Sequence, residues 1–144
     1  MNDEKYMMMA LREAEKSWLS ADVPVGAVVV LDGKVIARSY NQKEKCKKAT
    51  HHAEILAINK ASEKLGTYRL DGTTIYTTKE PCLMCMGAIL SARISRIVYG
   101  APDKRFGTEY LARDNNFNHT CDITGGVLKD DCEKLLSDFF KNLR

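Results

Sequence analysis

Hydrophobic positions recur along this chain with two periods, and the alternation between them predicts the elements. In the first twenty residues Met7, Leu11, Ala14 and Trp18 repeat every three to four positions, with Glu13, Glu15 and Lys16 between them. That spacing predicts an amphipathic helix over 3–20. The run Met7-Met8-Met9 is assigned to core packing, because methionine fills irregular gaps. Val25 to Leu31 is apolar and β-branched, which predicts a strand buried on both faces. Asp32-Gly33 marks a two-residue hairpin turn, since both of its positions require positive φ. Lys34 to Tyr40 returns antiparallel and leaves Asn41 at the strand end. Residues 42–48 form a polar basic loop, either a solvated connection or a rim for phosphates.

From His52 the helical period returns through Ile55, Leu56, Ile58, Ala61 and Leu65, and stops at Gly66. Thr50 is the expected cap of this helix. Asp71-Gly72 reads as a turn, and Thr73 to Thr78 as a strand. Pro81 opens a second helix from Cys82 to Ala92, and Ile94 to Gly100 is a further strand. Strand–helix–strand with connections this long implies parallel pairing and a right-handed crossover. Residues 101–118 are irregular, Cys121 to Thr124 is a short strand, and Lys129 to Arg144 forms the last helix. Acids at its start and bases at its end suit the helix dipole. Phe139 and Phe140 cannot both face inward fully, so one of them stands near the surface. This order predicts one mixed sheet with helices on both faces, an α/β fold.

Composition narrows this picture only a little. The 144 residues fit one domain, 1–144, with an ordinary globular balance of 44% hydrophobic and 28% charged residues. The net charge of +3 is too small to imply nucleic-acid binding alone. Five cysteines with one close pair argue for metal or redox chemistry over a disulfide framework. The acidic N-terminus is no signal peptide, and the longest apolar run is too short to span a bilayer. A soluble, cytoplasmic protein without membrane contact is expected.

The chemistry lies in two short motifs, His52-Ala53-Glu54 and Glu80-Pro81-Cys82-Leu83-Met84-Cys85. Both fall at predicted helix starts. Thiols three residues apart share a helix face, and a helix N-terminus favours thiolate, the form that binds zinc. His52, Cys82 and Cys85 make three ligands, where structural zinc sites have four and catalytic ones leave a position for water. His51 and His119 are alternative fourth ligands. Adjacent helical residues point about 100° apart, which disfavours His51. Glu54 is near the metal and surplus to the ligand count, so it can shuttle protons. A thioredoxin-type pair would not need the upstream His-x-Glu, and a zinc finger needs two spaced histidines.

With these motifs the chain resembles the cytidine deaminase-like zinc deaminases, and within them those acting on tRNA. Val23 to Ala27, Asn41, Arg96 to Ala101, Asp103, Phe117-Asn118-His119 and Leu135 to Phe140 extend the resemblance over nearly the whole chain. It implies a three-layer α/β/α cytidine deaminase-like fold with a mixed five-stranded sheet. It implies one zinc ion per subunit and a homodimer with each site near the interface. The implied reaction is hydrolytic deamination of adenosine to inosine at the wobble position of a tRNA anticodon, chiefly of an arginine tRNA. Glu54 would be the proton donor and acceptor, and Asn41 would hold the flipped base. Asp103, Asn118, His119, Phe140 and Arg144 would contact the anticodon loop, whose bases stack on aromatic or Arg planes when splayed. Residues 104–110 are shorter than this pattern, and His51 stands where it more often has alanine. The alternatives are a deaminase of a free base or nucleotide (guanine, cytosine or dCMP) and a non-catalytic deaminase subunit.

Overall fold

The computed structural model describes residues 2–113 and 119–143. Helix α1, Asp3–Glu15, buries Met7, Ala10, Leu11 and Ala14 along one stripe and carries Asp3 and Glu4 in its first turn. The predicted helix does not run unbroken to residue 20. It tightens into a 3₁₀ turn over Lys16–Ser20 and stops where Ala21 enters the left-handed region at φ 57°. Strand β1, Gly26–Leu31, is buried from Gly26 to Val30. Here α1 crosses so closely that a Cβ on residue 26 would meet the Ala10 carbonyl oxygen at 1.9 Å. Asp32 (φ 50°) and Gly33 (φ 75°) make the hairpin turn as predicted, and β2, Lys34–Tyr40, pairs antiparallel with β1. The ladder slips at Val29/Val30, a bulge.

The basic segment is not wholly a loop, since Lys43–Cys46 form a one-turn helix, α2. Helix α3 spans Ala53–Leu65 and is followed by β3, Thr74–Lys79. Helix α4, Leu83–Ser91, leads to β4, Arg96–Ala101. A 3₁₀ turn over Glu109–Arg113 interrupts the stretch expected to be irregular. Strand β5, Asp122–Thr124, and helix α5, Lys129–Asn142, complete the chain.

The five strands lie in the order β2-β1-β3-β4-β5. β1 is antiparallel to β2 and β3, while β3, β4 and β5 run parallel, so the sheet is mixed as predicted. Alternate strand residues feed two cores. On one face Ala27, Val29, Ile75 and Ile97 meet Ala53, Ala57 and Ala61 of α3 and Met86 and Ile89 of α4. On the other, Val28, Val30, Tyr76 and Val98 meet Tyr6, Met7 and Leu11 of α1 and Cys132 of α5. The topology brings the start of β1 and the ends of β2, β3 and β4 to one edge of the sheet. The Asp32-Gly33 turn lies at the opposite edge.

Candidate metal centre and substrate pocket

Two helix starts meet at that edge. His52 is the N-cap of α3, with φ −73° and ψ 153°, and makes no side-chain capping bond. Thr50 is therefore not the cap. It sits in the preceding turn, where its carbonyl accepts the His52 N–H at 2.9 Å. Cys82 occupies the equivalent N-cap of α4 in extended conformation, and Cys85 lies in the first turn. The extended backbone at each cap aims the side chain back across the edge, towards the other helix start.

His52 Nδ1 lies 3.6 Å from both Cys82 Sγ and Cys85 Sγ. Among the described residues these three form the metal-competent group, with all ligand atoms within 4.8 Å of one another. Tetrahedral zinc bound at about 2.0 Å to nitrogen and 2.3 Å to sulfur sets those atoms about 3.6 Å apart, so the donors fit zinc. Charge agrees with the geometry. The neighbouring Cys85 thiol and the His52 ring hold Cys82 down to about 3, whereas the Cys82 sulfur and burial push Cys85 well up. The pair thus carries one negative charge on two sulfurs, and a divalent cation would draw off the second proton. The His52 ring is pushed up, chiefly by its hydrogen bond to Cys82.

His51 lies outside this group. It is not helical, so the 100° argument fails. In extended chain neighbouring side chains point to opposite faces instead, and His51 Nδ1 is buried without a hydrogen-bond partner.

Glu54 follows in the first turn of α3, 4% exposed and outside the ligand set. Burial pushes its carboxyl from 4.5 up to about 6. It lines a pocket with His52, Cys82, Asn41, Asp103 and Lys43, walled by Val23 and Val25. Asn41, 8% exposed, donates through Nδ2 to the Val23 carbonyl at 3.1 Å and accepts the Lys43 N–H at 3.2 Å. An amide offers two donors and two lone pairs, so one of each remains for a ligand. Asp103 Oδ1 accepts the N–H groups of Arg105 and Phe106, both at 2.9 Å. The Phe106 N–H in particular holds its carboxyl below the usual range.

The remaining predicted contacts separate. Phe139 is buried and packs edge-on against Trp18 at 5.3 Å, leaving Phe140 half exposed. Ser17, next to Trp18, donates to the Asn41 carbonyl at 3.1 Å, so the end of α5 flanks the pocket edge. His119 does not join the pocket. Its Nε2 sits 2.7 Å from the Ile94 carbonyl, ahead of β4, and a six-residue strand spans roughly 20 Å. Asn118 and Arg144 lie outside the described residues. The sequence reading missed Asp22 and Glu80. Asp22, 1% exposed, accepts the Glu44 and Lys45 N–H groups and the Ser20 hydroxyl, fixing α2 beside the pocket. Neither residue type nor spacing signals a carboxylate that works on distant backbone.

Comparison with known proteins agrees with this geometry. The family of MafB19-like deaminases matches residues 1–144. A tRNA-specific adenosine deaminase of Bacillus subtilis (strain 168) is 42% identical, covering 99% of this chain and 91% of its own. A solved structure from a study of A-to-I editing by tRNA:A34 deaminases superposes with a TM-score of 0.87 at 40% identity, over 91% of this chain and 98% of that one. A guanine deaminase from Nitrosomonas europaea shares the fold at 25% identity and TM-score 0.82, over 94% and 83%.

Proposed function

This chain belongs to the MafB19-like deaminase family, and from that premise we propose that it deaminates adenosine to inosine at the wobble position of a tRNA anticodon, chiefly of an arginine tRNA. Water adds to the purine carbon that bears the amino group, and ammonia leaves. The observation that carries the reading is a buried carboxylate, Glu54, set beside a three-donor cluster and outside it. The sequence of the Bacillus subtilis deaminase supports the choice of tRNA.

Zinc held by His52, Cys82 and Cys85 would supply a Lewis acid that makes water nucleophilic at neutral pH. Glu54 takes one proton from the attacking water and gives it to the ring nitrogen, then takes the proton of the newly formed hydroxyl and gives it to the departing amine, which leaves as ammonia. In the metal-free protein burial already moves the Glu54 carboxyl up from 4.5 to about 6, towards the range in which a proton shuttle works at neutral pH. Asn41 presents its free donor and acceptor to the polar edge of the flipped base, and Val23 and Val25 exclude water around it. Asp103 meets a neighbouring nucleotide, and the half-exposed Phe140 gives an unstacked base a surface to lie on. Arg144 is assigned to these contacts by the resemblance, while within one subunit His119 rests on the Ile94 carbonyl, away from the pocket.

The enzyme works as a homodimer in the cytoplasm. Leu83 and Met84, exposed on α4 beside the cluster, support a subunit contact near the site. Among the described residues no helix is long and apolar enough to cross a membrane.

The test is to incubate the purified protein with an anticodon stem-loop bearing A at the wobble position. Parallel reactions receive free guanine, cytosine and dCMP, and inosine, ammonia and bound zinc are scored. Inosine in the stem-loop with one zinc per subunit is expected. Ammonia from a free base with no inosine in RNA would overturn the substrate. Bound zinc with no product from any of them would indicate a non-catalytic subunit.

A further inference from the structure

Glu80 precedes Pro81 and Cys82 and is buried, 5% exposed as a residue. It forms no salt bridge among the described residues. It accepts three backbone N–H groups instead: Asp103 at 2.9 Å on Oε1, and Thr108 at 2.7 Å and Glu109 at 3.0 Å on Oε2. A buried carboxylate is sustained only by such bonds. Asp103 and Thr108 belong to the loop after β4, the loop that carries Asp103 into the pocket, and Glu109 opens the 3₁₀ turn that ends it.

The loop is moulded on this group. The Thr108 hydroxyl donates to the Pro81 carbonyl at 2.5 Å, a second strap onto the same turn. The Glu80 N–H donates to the Ala101 carbonyl at 2.8 Å, so the strand ends are tied as well. At Gly107 a Cβ would stand 3.0 Å from the Asp103 carbonyl oxygen and 3.1 Å from Glu80 Oε2, closer than a side chain ordinarily comes. Within the loop Asp103 closes its own turn through Arg105 and Phe106. Two carboxylates therefore set the path of 103–109, one from inside the loop and one from the residue that leads into the metal-binding turn.

We propose that Glu80 is a positioning residue: it fixes the Asp103 loop to the turn bearing Cys82, and so sets where substrate contacts stand relative to the reacting groups. The inference rests on the function proposed above. It distributes the effects of substitution differently from a group that reacts or a group that only stabilises. Glu80 lines the same pocket but makes no hydrogen bond to the ligand atoms or to Glu54 among the described residues, so its removal is expected to spare the chemical step and blur the place of Asp103.

The test is Glu80→Gln, which keeps the shape but turns one acceptor oxygen into a donor facing an N–H group. Zinc content is expected to stay at wild-type level and kcat to change less than about twofold. KM for the anticodon stem-loop is expected to rise roughly tenfold, the scale of one lost hydrogen bond to a charged group. In hydrogen-exchange NMR the Asp103, Thr108 and Glu109 amides should exchange at least about tenfold faster, with the amides of α3 unchanged. Unchanged exchange at those three amides overturns the proposal, as does a fall in kcat with KM fixed, or loss of zinc. Should Glu80→Gln fail to fold, Gly107→Ala sets a methyl between the loop and the Glu80 carboxylate and is held to the same outcomes. If wild-type protein leaves the stem-loop unedited, the proposed function falls, while amide exchange still decides the role of Glu80.

Discussion

Replacing Glu54 by glutamine should make the metal-free protein more stable while removing its activity. Burial raises the folded-state carboxyl from 4.5 to about 6. An acid whose folded pKa is raised binds its proton more tightly when folded, so ionisation opposes folding. The cost is absent below about 4.5, grows between 4.5 and 6, and is complete above that window. At about 1.4 kcal/mol per pH unit it amounts to about 2 kcal/mol at neutral pH. Glutamine has nearly the same shape and no charge to bury. Urea unfolding of chelator-treated wild type and Glu54→Gln, from pH 4.5 to 8, measures the difference. The variant should be more stable by about 2 kcal/mol at pH 7.5 and converge with wild type near pH 4.5. Turnover on the stem-loop should fall by about 10² to 10⁴, the span of general acid–base catalysis. A difference that is flat with pH, or a variant less stable at pH 7.5, would refute the view that Glu54 is held ionised at the expense of stability.

Four other substitutions probe the frame and the pocket edge. Gly26→Ala drives a Cβ into the Ala10 carbonyl of α1 and should cost about 3 kcal/mol or more, read as a lower urea midpoint. Phe139→Ala should cost about 3–5 kcal/mol because the ring is buried. Phe140→Ala should leave the midpoint nearly unchanged and weaken stem-loop binding by about 1–3 kcal/mol. Asp3 anchors α1 through bonds of 2.9 and 2.8 Å from Arg96, and that guanidinium holds its carboxyl below 3.8. Asp3→Asn should cost about 1–2 kcal/mol, reduced by partial exposure of the pair. Because the folded pKa is depressed, this advantage is present above pH 3.8 and disappears as pH falls through the folded value. Paired acid-unfolding curves check it.

What the sequence revealed follows from the range of the forces involved. Ligand chemistry is carried by residue type, so His52, Cys82, Cys85 and the surplus Glu54 were legible as motifs. The β1–β2 hairpin was legible because Asp32-Gly33 encodes its own φ angles. The Thr50 cap failed because the site needs His52 in extended backbone, and that requirement displaced the local capping preference. The anchoring by Glu80 was illegible for a different reason. Its partners are backbone N–H groups 23, 28 and 29 residues further along, and every non-proline residue carries one. His119 was placed with the substrate by resemblance, but the Ile94 carbonyl holds it at the far edge.

The hairpin turn at Asp32-Gly33 makes the molecule easy to extend. Six residues of β1 separate it from the pocket edge, a distance of roughly 20 Å. The contact it makes with α1 is the Tyr6 hydroxyl donating to the Gly33 carbonyl at 2.9 Å. A fluorophore, affinity tag or second binding module spliced there would point away from the pocket. Such a graft would give a handle for immobilising or targeting the protein with every residue of the pocket left in place.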